Sequence, residues 1–401
     1  MQFVPLPSVQ PHWATTIRWS GVDLLVDRFG FVIGLDPAVL SLASIRRTAA
    51  SLTAISPVPI RLISVDSTGS ATFQLLQLAD LRALLDGIVG WLAQLVPARA
   101  IRYIAPVQVH KALASPVSAP FFSDWPYAKI RAAEAWAIER GENPGIGIGI
   151  IDSGIALASS GAVNHPDLNP ARFHLGGNYV RRGAWPADDN DHGTMVAGIA
   201  ANGNNDGRGI PGMTAATQVH ICKTLNAEGQ GTDAAFKQAV KEIVSRAVKA
   251  GRKVIINYSA GGPAPSRELE SACRLIEKHG MLLIASAGDN SGTQMFPAGY
   301  SADIPNVVSV SGVDEHDRLF GPIHADVFGP AVNVRSTVPP GTAVYRSSSG
   351  TSLATPFVSG LAALVWSANP EFSAAEVKAR IVQRARIAFG RPVIDAAAAL
   401  A

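Results

Sequence analysis

The stretch "QVHICKTLNAEGQGTDAAFKQAVKEIVSRAVKAGRKVIINYS" at residues 218–259 predicts a strand, a helix and a second strand. Its two ends are short apolar runs, and the middle repeats apolar residues at helical spacing before a glycine. The same alternation continues from about residue 120 onward, with strands predicted at 145–152, 281–288 and 306–313 and helices at 192–201, 266–280 and 352–367. This order predicts an α/β fold, a mostly parallel sheet with helices on both faces.

The first 112 residues predict a different architecture. Their apolar runs follow a β-α-β-β-α-β order, which is typical of a small α+β domain. A stretch rich in Pro, Ala and Ser then covers residues 113–126 and predicts a linker. We therefore expect a small domain at 1–112, the linker, and a large α/β domain at 127–401.

Composition restricts the partners and the compartment. The 401 residues carry a net charge of +3 with no Lys/Arg block, so nothing favours nucleic acid or a membrane surface as a partner. Cys222 and Cys273 are too few for a disulfide framework, and we expect two buried thiols, one bridge or a functional thiol being the alternatives. The N-terminus shows no signal peptide and no run approaches the roughly 18 apolar residues that cross a bilayer. We expect a cytoplasmic protein, and export by another route stays open.

Three residues in the large domain form a candidate catalytic set. Asp152 ends the first predicted strand, while His192 and Ser352 each open a predicted helix. Strand ends and helix starts meet at one edge of a parallel sheet, where such folds collect functional groups. A serine hydroxyl needs a base to remove its proton, histidine suits that role near neutral pH, and a carboxylate orients the imidazole. The set predicts nucleophilic catalysis, although each residue alone has an ordinary structural role as cap or turn former.

The sequences around these residues resemble those of the subtilisin-like serine proteases (subtilases, peptidase family S8). "GIIDSGI" (149–155), "DHGTMVAGI" (191–199) and "SGTSLATPFVSGLAAL" (349–364) are similar to the three active-site motifs of that family. Met195 and Leu353 depart mildly from the usual pattern, where His and Met are common. The resemblance implies a subtilisin-like fold and a serine endopeptidase that hydrolyses polypeptides through Asp152, His192 and Ser352, with no cofactor required for the chemistry.

Two further segments resemble the family's substrate-binding strands. "LNAEGQGT" (225–232) and "INYSAGGP" (256–263) supply the expected substrate-binding residues, which are Gly229, Gln230, Gly231, Ser259, Ala260 and Gly261. Small residues let a peptide backbone approach as an added strand. Met295 aligns near the floor of the specificity pocket, and we expect a shortened apolar pocket that prefers modest side chains to large aromatic ones.

The small domain resembles a subtilase pro-segment. That resemblance implies a zymogen, in which residues 1–112 assist folding and act as an intramolecular inhibitor whose tail occupies the active cleft. Autocleavage would then fall within 112–121. A permanent accessory domain is the alternative.

The oxyanion hole is where the sequence departs most from the family. Subtilases use the backbone N–H of the catalytic serine and an Asn side chain, but Asp289 occupies the aligned Asn position and Asn290 follows it. A protonated Asp289 could donate, Asn290 could serve after a shift of the loop, or the protease could be slow and narrow in specificity. The alternative function is a catalytically disabled subtilase-like binding protein.

Oxygen-rich loops suggest a structural calcium ion. "HPDL" (165–168) and "NGNNDGRG" (202–209) resemble calcium-binding segments of the family, with Asp167, Asn205 and Asp206 as candidate ligands, although such loops are often plain turns. The acidic run before His192 is expected to cap its helix through Asp191.

Overall fold

The structure is a computed structural model that describes residues 14–19, 22–55, 60–65, 70–75, 88, 91–92, 95–112, 115–116, 125–202, 209–290, 294–341 and 343–401. The chain forms two compact units: a small unit of residues 1–109 with 232–234, and a large unit of residues 110–231 and 235–401. The division falls at Val109 rather than at residue 112. Much of the predicted linker, and most of the second helix predicted for the small domain, lie outside the described residues.

The small unit contains an antiparallel sheet and a helix. Its strands are β1 (Ala14–Trp19), β2 (Val22–Leu35), β3 (Ile60–Val65), β4 (Ser70–Leu75) and β5 (Ile101–Ala112), the last of which continues beyond the unit, and its helix is α1 (Leu42–Ile55). The long strand β2 pairs with β1, β4 and β5, and β4 pairs with β3. The stacked rings of Phe31 and Phe73, 5.1 Å apart at their centroids, anchor its core. The α+β architecture was therefore predicted from the sequence.

The large unit contains many more elements. Its strands are β6 (Ser115–Pro116), β7 (Ile146–Asp152), β8 (Phe173–Asn178), β9 (Gln218–Lys223), β10 (Gln230–Thr232), β11 (Lys253–Tyr258), β12 (Ala260–Gly261), β13 (Leu282–Ser286), β14 (Val307–Val313), β15 (Leu319–Phe320), β16 (Val327–Pro330), β17 (Val334–Thr337), β18 (Tyr345–Ser349), β19 (Arg386–Ala388) and β20 (Arg391–Val393). Its helices are α2 (Trp125–Lys129), α3 (Ala132–Trp136), α4 (His192–Ala201), α5 (Asp233–Ala250), α6 (Arg267–Lys278), α7 (Thr351–Ala368), α8 (Ala374–Gln383) and α9 (Ala396–Leu400).

The central sheet of the large unit is mostly parallel, as predicted. Its strand order is β8-β9-β7-β11-β13-β14-β16-β20-β19, and the pairs from β8 to β20 run parallel. Only the short strands β15 and β19 add antiparallel pairs among the registers described for this sheet. Every residue of β7 is buried, because helices cover both faces.

Two hydrophobic cores lie on opposite faces of this sheet. Alternate residues of the strands face each core, so that Ile150 packs with Leu353 of α7, whereas Ile151 packs with Phe236 of α5. Cys222 and Cys273 are both buried free thiols in the second core, as expected. Burial raises the pKa of both thiols far above the usual range.

Helix α7 forms the centre of the first core. Contrary to the expectation from the sequence, α7 is long and apolar enough to span a bilayer by length and composition, and 94% of its 18-residue window is buried inside the fold. Its apolar side chains therefore pack against the sheet and α4. Since α4 and α7 begin where the parallel strands end, their first residues lie beside Asp152, the last residue of β7.

Candidate active site

Asp152, His192 and Ser352 meet in one hydrogen-bonded chain. Ser352 Oγ lies 2.9 Å from His192 Nε2, and His192 Nδ1 lies 2.8 Å from Asp152 Oδ1. All three side chains are buried. The hydroxyl donates to Nε2, and Nδ1–H donates to the carboxylate, which fixes the imidazole tautomer that a general base needs. The three residues predicted from separate motifs are thus brought together.

The charge of Asp152 also sets the acidity of His192. Burial lowers the pKa of the imidazole, but the charge and hydrogen bond of Asp152 outweigh it, and Asp188 and Asp289 act in the same direction. The net effect raises the pKa of His192 above its usual value. The imidazolium that forms when His192 accepts the serine proton is therefore stabilised.

The carboxylate of Asp188, rather than that of Asp191, holds the start of α4. Asp188 accepts the backbone N–H of Thr194 at 2.8 Å and the Ser153 hydroxyl at 2.7 Å. Asp191 occupies the N-cap position with φ 77°, but its side chain makes no capping hydrogen bond and pairs with Arg346. The prediction of a cap in this acidic run was correct, and its assignment to Asp191 was wrong because the left-handed backbone turns that side chain away.

Lys223 stabilises the chain next to the start of α4, and the sequence interpretation did not identify it. Its buried ammonium group donates to the carbonyl oxygens of Ser153 at 2.6 Å and Leu225 at 2.8 Å, and it pairs with Asp189 at 2.6 Å. It lies directly beside Asp152 in the parallel register. A lysine at the end of an apolar strand was the available signal. Lys223 links the segment after Asp152 to the start of the 225–232 loop.

Asp289 lies at the N-terminus of α7. Its Oδ1 accepts the backbone N–H of Thr351 at 2.8 Å and the Thr351 hydroxyl at 2.9 Å. Burial raises the pKa of Asp289 above its usual value, against the opposing effects of the Thr351 hydrogen bonds and the charge of His192. Asn290 is exposed. Asp289 therefore lies next to the nucleophile in the fold, and its carboxylate accepts the N–H of Thr351 at the first residue of α7.

Ser259 and Ala260 directly follow β11 in the chain. The Ser259 hydroxyl donates to the carbonyl oxygen of Ser352 at 2.7 Å and accepts from Asn257 at 3.0 Å, so its side chain holds the nucleophile's backbone. Ala260 and Gly261 form β12, which pairs antiparallel with Ala112 and Lys111. The backbone of β12 therefore accepts an added strand in the large unit.

Other predicted binding residues have defined positions around this segment. Met295 packs against Gly261, where an added Cβ would lie 3.1 Å from the Met295 Cβ, and its N–H donates to Ala287 at 3.0 Å. Gly229, with φ 70°, ends a turn in which the N–H of Asn226 donates to the Gln230 carbonyl at 2.8 Å. Gly231 allows β10 to approach Thr224 closely, since a Cβ added at Gly231 would lie 2.4 Å from the carbonyl oxygen of Thr224.

Comparison with known proteins identifies the family of this chain. The model of the subtilase family (Peptidase S8) matches residues 143–397. The chain belongs to the subtilase family, whose members are serine endopeptidases. Thermitase from Thermoactinomyces vulgaris is 34% identical over 270 residues, which cover 65% of this chain and 88% of thermitase. Subtilisin BL from Lederbergia lenta is 33% identical over 251 residues, covering 61% of this chain and 88% of the relative.

Two other matches show how far the similarity extends. M-protease from Shouchella clausii is 33% identical over 251 residues, and the matched region covers 61% of this chain but only 62% of that longer relative. The crystal structure of fervidolysin from Fervidobacterium pennivorans, described as a keratinolytic enzyme related to subtilisin, matches with a TM-score of 0.72 at 19% identity. That match covers 94% of this chain and 61% of fervidolysin, and it shows the subtilisin-like fold.

The predicted calcium ligands of this subtilase are only partly described. Asp167 is buried and accepts the N–H of Ile210 at 3.0 Å and the Asn202 amide at 3.2 Å. The buried Asn202 Oδ1 has no hydrogen-bond partner among the described residues. Asn205 and Asp206 lie outside the described residues. Asn202, the first residue of the "NGNNDGRG" run, therefore offers a buried oxygen that the sequence interpretation did not name.

Proposed function

We propose that this chain is a serine endopeptidase in which Ser352 attacks the peptide carbonyl. The observation that carries the proposal is the continuous chain from Ser352 Oγ through His192 to Asp152, at 2.9 and 2.8 Å. His192 takes the hydroxyl proton as general base and then delivers it to the leaving amine as general acid. Asp152 holds the ring in the required tautomer and stabilises the imidazolium. His192 then takes a proton from water, whose oxygen attacks the acyl carbon. The bond to Ser352 Oγ breaks, His192 returns the proton to Oγ, and the carboxylic acid product leaves.

The developing oxyanion requires hydrogen-bond donors near the start of α7. The backbone N–H of Ser352, in the first turn of that helix, is one donor, and the partial positive charge of the helix end adds to it. By the resemblance to the family, Asp289 would take the position of the second donor. An ionised carboxylate there repels the oxyanion, so we propose an attenuated or narrow protease in which the neutral form of Asp289 is the second donor.

A polypeptide substrate would bind as an added strand beside β12. The pairing of Ala260 and Gly261 with Ala112 and Lys111 supports this mode, since it shows that the edge accepts an antiparallel strand. The pocket for the residue before the cut would be lined by Ala260, the segment 285–288 and Met295. The small walls and the methionine floor leave room for a modest apolar side chain.

A peptide library measures this preference directly. With a pocket shortened by Met295, we expect wild-type protein to cleave after modest apolar residues at least tenfold faster than after Phe or Tyr, because a ring would clash with the floor. Mass spectrometry of the products gives the cleavage sites, and the Ser352→Ala variant is the control for contaminating proteases. A strong preference for Phe or Tyr would contradict the proposed pocket, whereas no Ser352-dependent cleavage of any peptide would contradict the proposed function.

The pro-segment proposal is supported by the backbone around β12. Lys111 and Ala112 pair with β12, and Ser115 and Pro116 pair with Ser349 and Ser348 of β18, which ends just before Ser352. The described residues of the segment that the resemblance predicts to be cut thus pair with β12 and with β18, the strand that leads into α7. We propose that residues 1–112 act as an inhibitor until cleavage within 112–121.

A structural calcium ion near Asp167 is a further proposal, supported by the buried Asn202 oxygen without a described partner. We expect a calcium chelator to lower Tm by about 5–10 °C, since an ion present at about 100 times its Kd contributes about 2.7 kcal/mol. Differential scanning calorimetry of the Ser352→Ala protein, with calcium added back, measures the shift. Asp167→Asn should remove the chelator response while Asp303→Asn, at an exposed turn, keeps it. An unchanged Tm after chelation of the parent protein would exclude the calcium site.

A further inference from the structure

A second group of reactive side chains lies in the large unit, apart from the triad. It consists of His220 and Cys222 on β9 and Glu242 on α5, and we name it the β9–α5 cluster. One ligand atom from each residue lies within 4.8 Å of the other two, and His220 Nε2 is 3.0 Å from Glu242 Oε1. His220 and Cys222 are two residues apart on a strand, so both side chains face α5. Peptide hydrolysis by the triad leaves these three groups without a role.

The donor set matches one metal in particular. A thiolate sulfur, an imidazole nitrogen and a carboxylate oxygen together suit Zn²⁺, whereas calcium and magnesium prefer oxygen alone. Ligand atoms around a tetrahedral zinc ion are separated by about 3.3–3.6 Å. The observed separations, at 3.0 Å for one pair and no more than 4.8 Å for the others, need only small side-chain rotations to reach this geometry.

The surroundings hold the carboxylate in position. Glu242 Oε2 accepts the Tyr179 hydroxyl at 2.6 Å and the Gly177 N–H at 2.9 Å, which leaves Oε1 facing His220. Such supporting hydrogen bonds orient ligands in metal sites. The two hydrogen bonds to Oε2 therefore fix the orientation of the carboxylate before an ion binds.

The cluster also has space and an entry path. Gly176 lies against it, and an added Cβ there would fall 2.5 Å from His220 Nε2 and 2.8 Å from Cys222 Sγ. A cavity of about 440 Å³ reaches the cluster at His220 and also borders Arg246, whereas Cys222 and Glu242 are not among its lining residues. Arg246 contacts Glu242 Oε1 at 3.0 Å and opposes a cation, but its side chain is 61% exposed and can swing into water.

We propose that His220 Nε2, Cys222 Sγ and Glu242 bind one Zn²⁺ ion, with a water from the cavity as the fourth ligand. The Cys222 thiol releases its proton to solvent on binding. The His220 imidazole changes to the tautomer with its proton on Nδ1, which frees Nε2, now 3.0 Å from Glu242 Oε1, to bind the ion. The ion ties β9 to α5. Because Lys223 follows Cys222 and lies beside Asp152 in the register, the bound ion stabilises the strand that supports the triad. This proposal does not depend on the peptidase activity.

Cobalt(II) is a spectroscopic probe of this site, since a thiolate ligand gives a charge-transfer absorption in the near ultraviolet. We expect the full-length Ser352→Ala protein to show this band, saturating at one equivalent of Co²⁺ and disappearing when Zn²⁺ is added. Cys222→Ser should abolish the band. The matched control is Cys273→Ser, which changes the other buried thiol, on α6, and should leave the band unchanged.

A second variant covers the case in which Cys222→Ser fails to fold. Glu242→Gln keeps the shape of the side chain and should weaken zinc binding at least tenfold, measured by competition with a chromogenic chelator. The proposal is overturned if the parent protein gives no thiolate band, if the band survives in Cys222→Ser or is lost in a folded Cys273→Ser, or if Glu242→Gln binds Zn²⁺ as tightly as the parent. Circular dichroism identifies the variants that fold.

Discussion

Replacing Ser352 with alanine will lower kcat for peptide hydrolysis about 10⁶-fold, as loss of the nucleophile does in another member of this family. The hydroxyl lies 2.9 Å from His192 Nε2, the base that removes its proton. Fluorogenic peptide assays of wild-type and variant protein measure the change. KM should move little, because the variant removes a group that acts in the transition state rather than in binding.

The same variant decides the zymogen proposal. Wild-type protein should lose its N-terminal segment by a cut within 112–121, whereas Ser352→Ala should stay whole in intact-mass spectrometry. Ser367→Ala, near the other end of the same buried helix, is the matched control and should process normally. If the wild-type chain also stays whole, the small domain is a permanent accessory domain. If Ser352→Ala retains activity within tenfold of wild type, the assignment of the nucleophile is wrong.

The sequence predicted the triad because each catalytic residue lies at a strand end or a helix start of the predicted parallel sheet, and because the surrounding motifs resemble those of the subtilases. The sequence did not predict which carboxylate caps α4 or which residue Asp289 contacts. Asp188 and Asp191 stand in one acidic run, and only the backbone φ of Asp191 shows that Asp188 caps α4. The contact between Asp289 and Thr351 joins residues 62 positions apart, which sequence spacing does not reveal. Strands of two to four residues, such as β15, are too short for a periodicity signal.

The pKa shifts of His192 and Asp289 limit the pH range of this enzyme. His192 acts as a base only when it is neutral, so its raised pKa makes activity fall as the pH drops through that value. Asp289 donates a hydrogen bond only when protonated, so its raised pKa still restricts the donor form to lower pH. The two required forms coexist only where these titrations overlap. A protease that uses both forms therefore loses the Asp289 donor as the pH rises through the pKa of Asp289, and loses the His192 base as the pH falls through the pKa of His192.

Asp289→Asn should raise kcat on peptides about 10²–10³-fold near neutral pH, the range that one oxyanion donor contributes within this family. The amide donates at every pH and removes a negative charge that raises the pKa of His192. The acid limb of the pH–rate profile should therefore move to lower pH as well, which a purely structural role for Asp289 would not cause.

Asn290→Ala is the control for the neighbouring amide and should change kcat little, since Asn290 is exposed and Asp289 is the residue at the start of α7. A fall in kcat for Asp289→Asn, with Asn290→Ala harmless, would show that the protonated carboxyl is the better donor in this site. A large loss in Asn290→Ala would instead assign the oxyanion hole to Asn290. A competent triad reacts with a fluorophosphonate probe without needing a peptide to fit the pocket. If the probe labels Ser352 in neither the wild type nor Asp289→Asn after removal of residues 1–112, the alternative of a disabled binding protein is favoured.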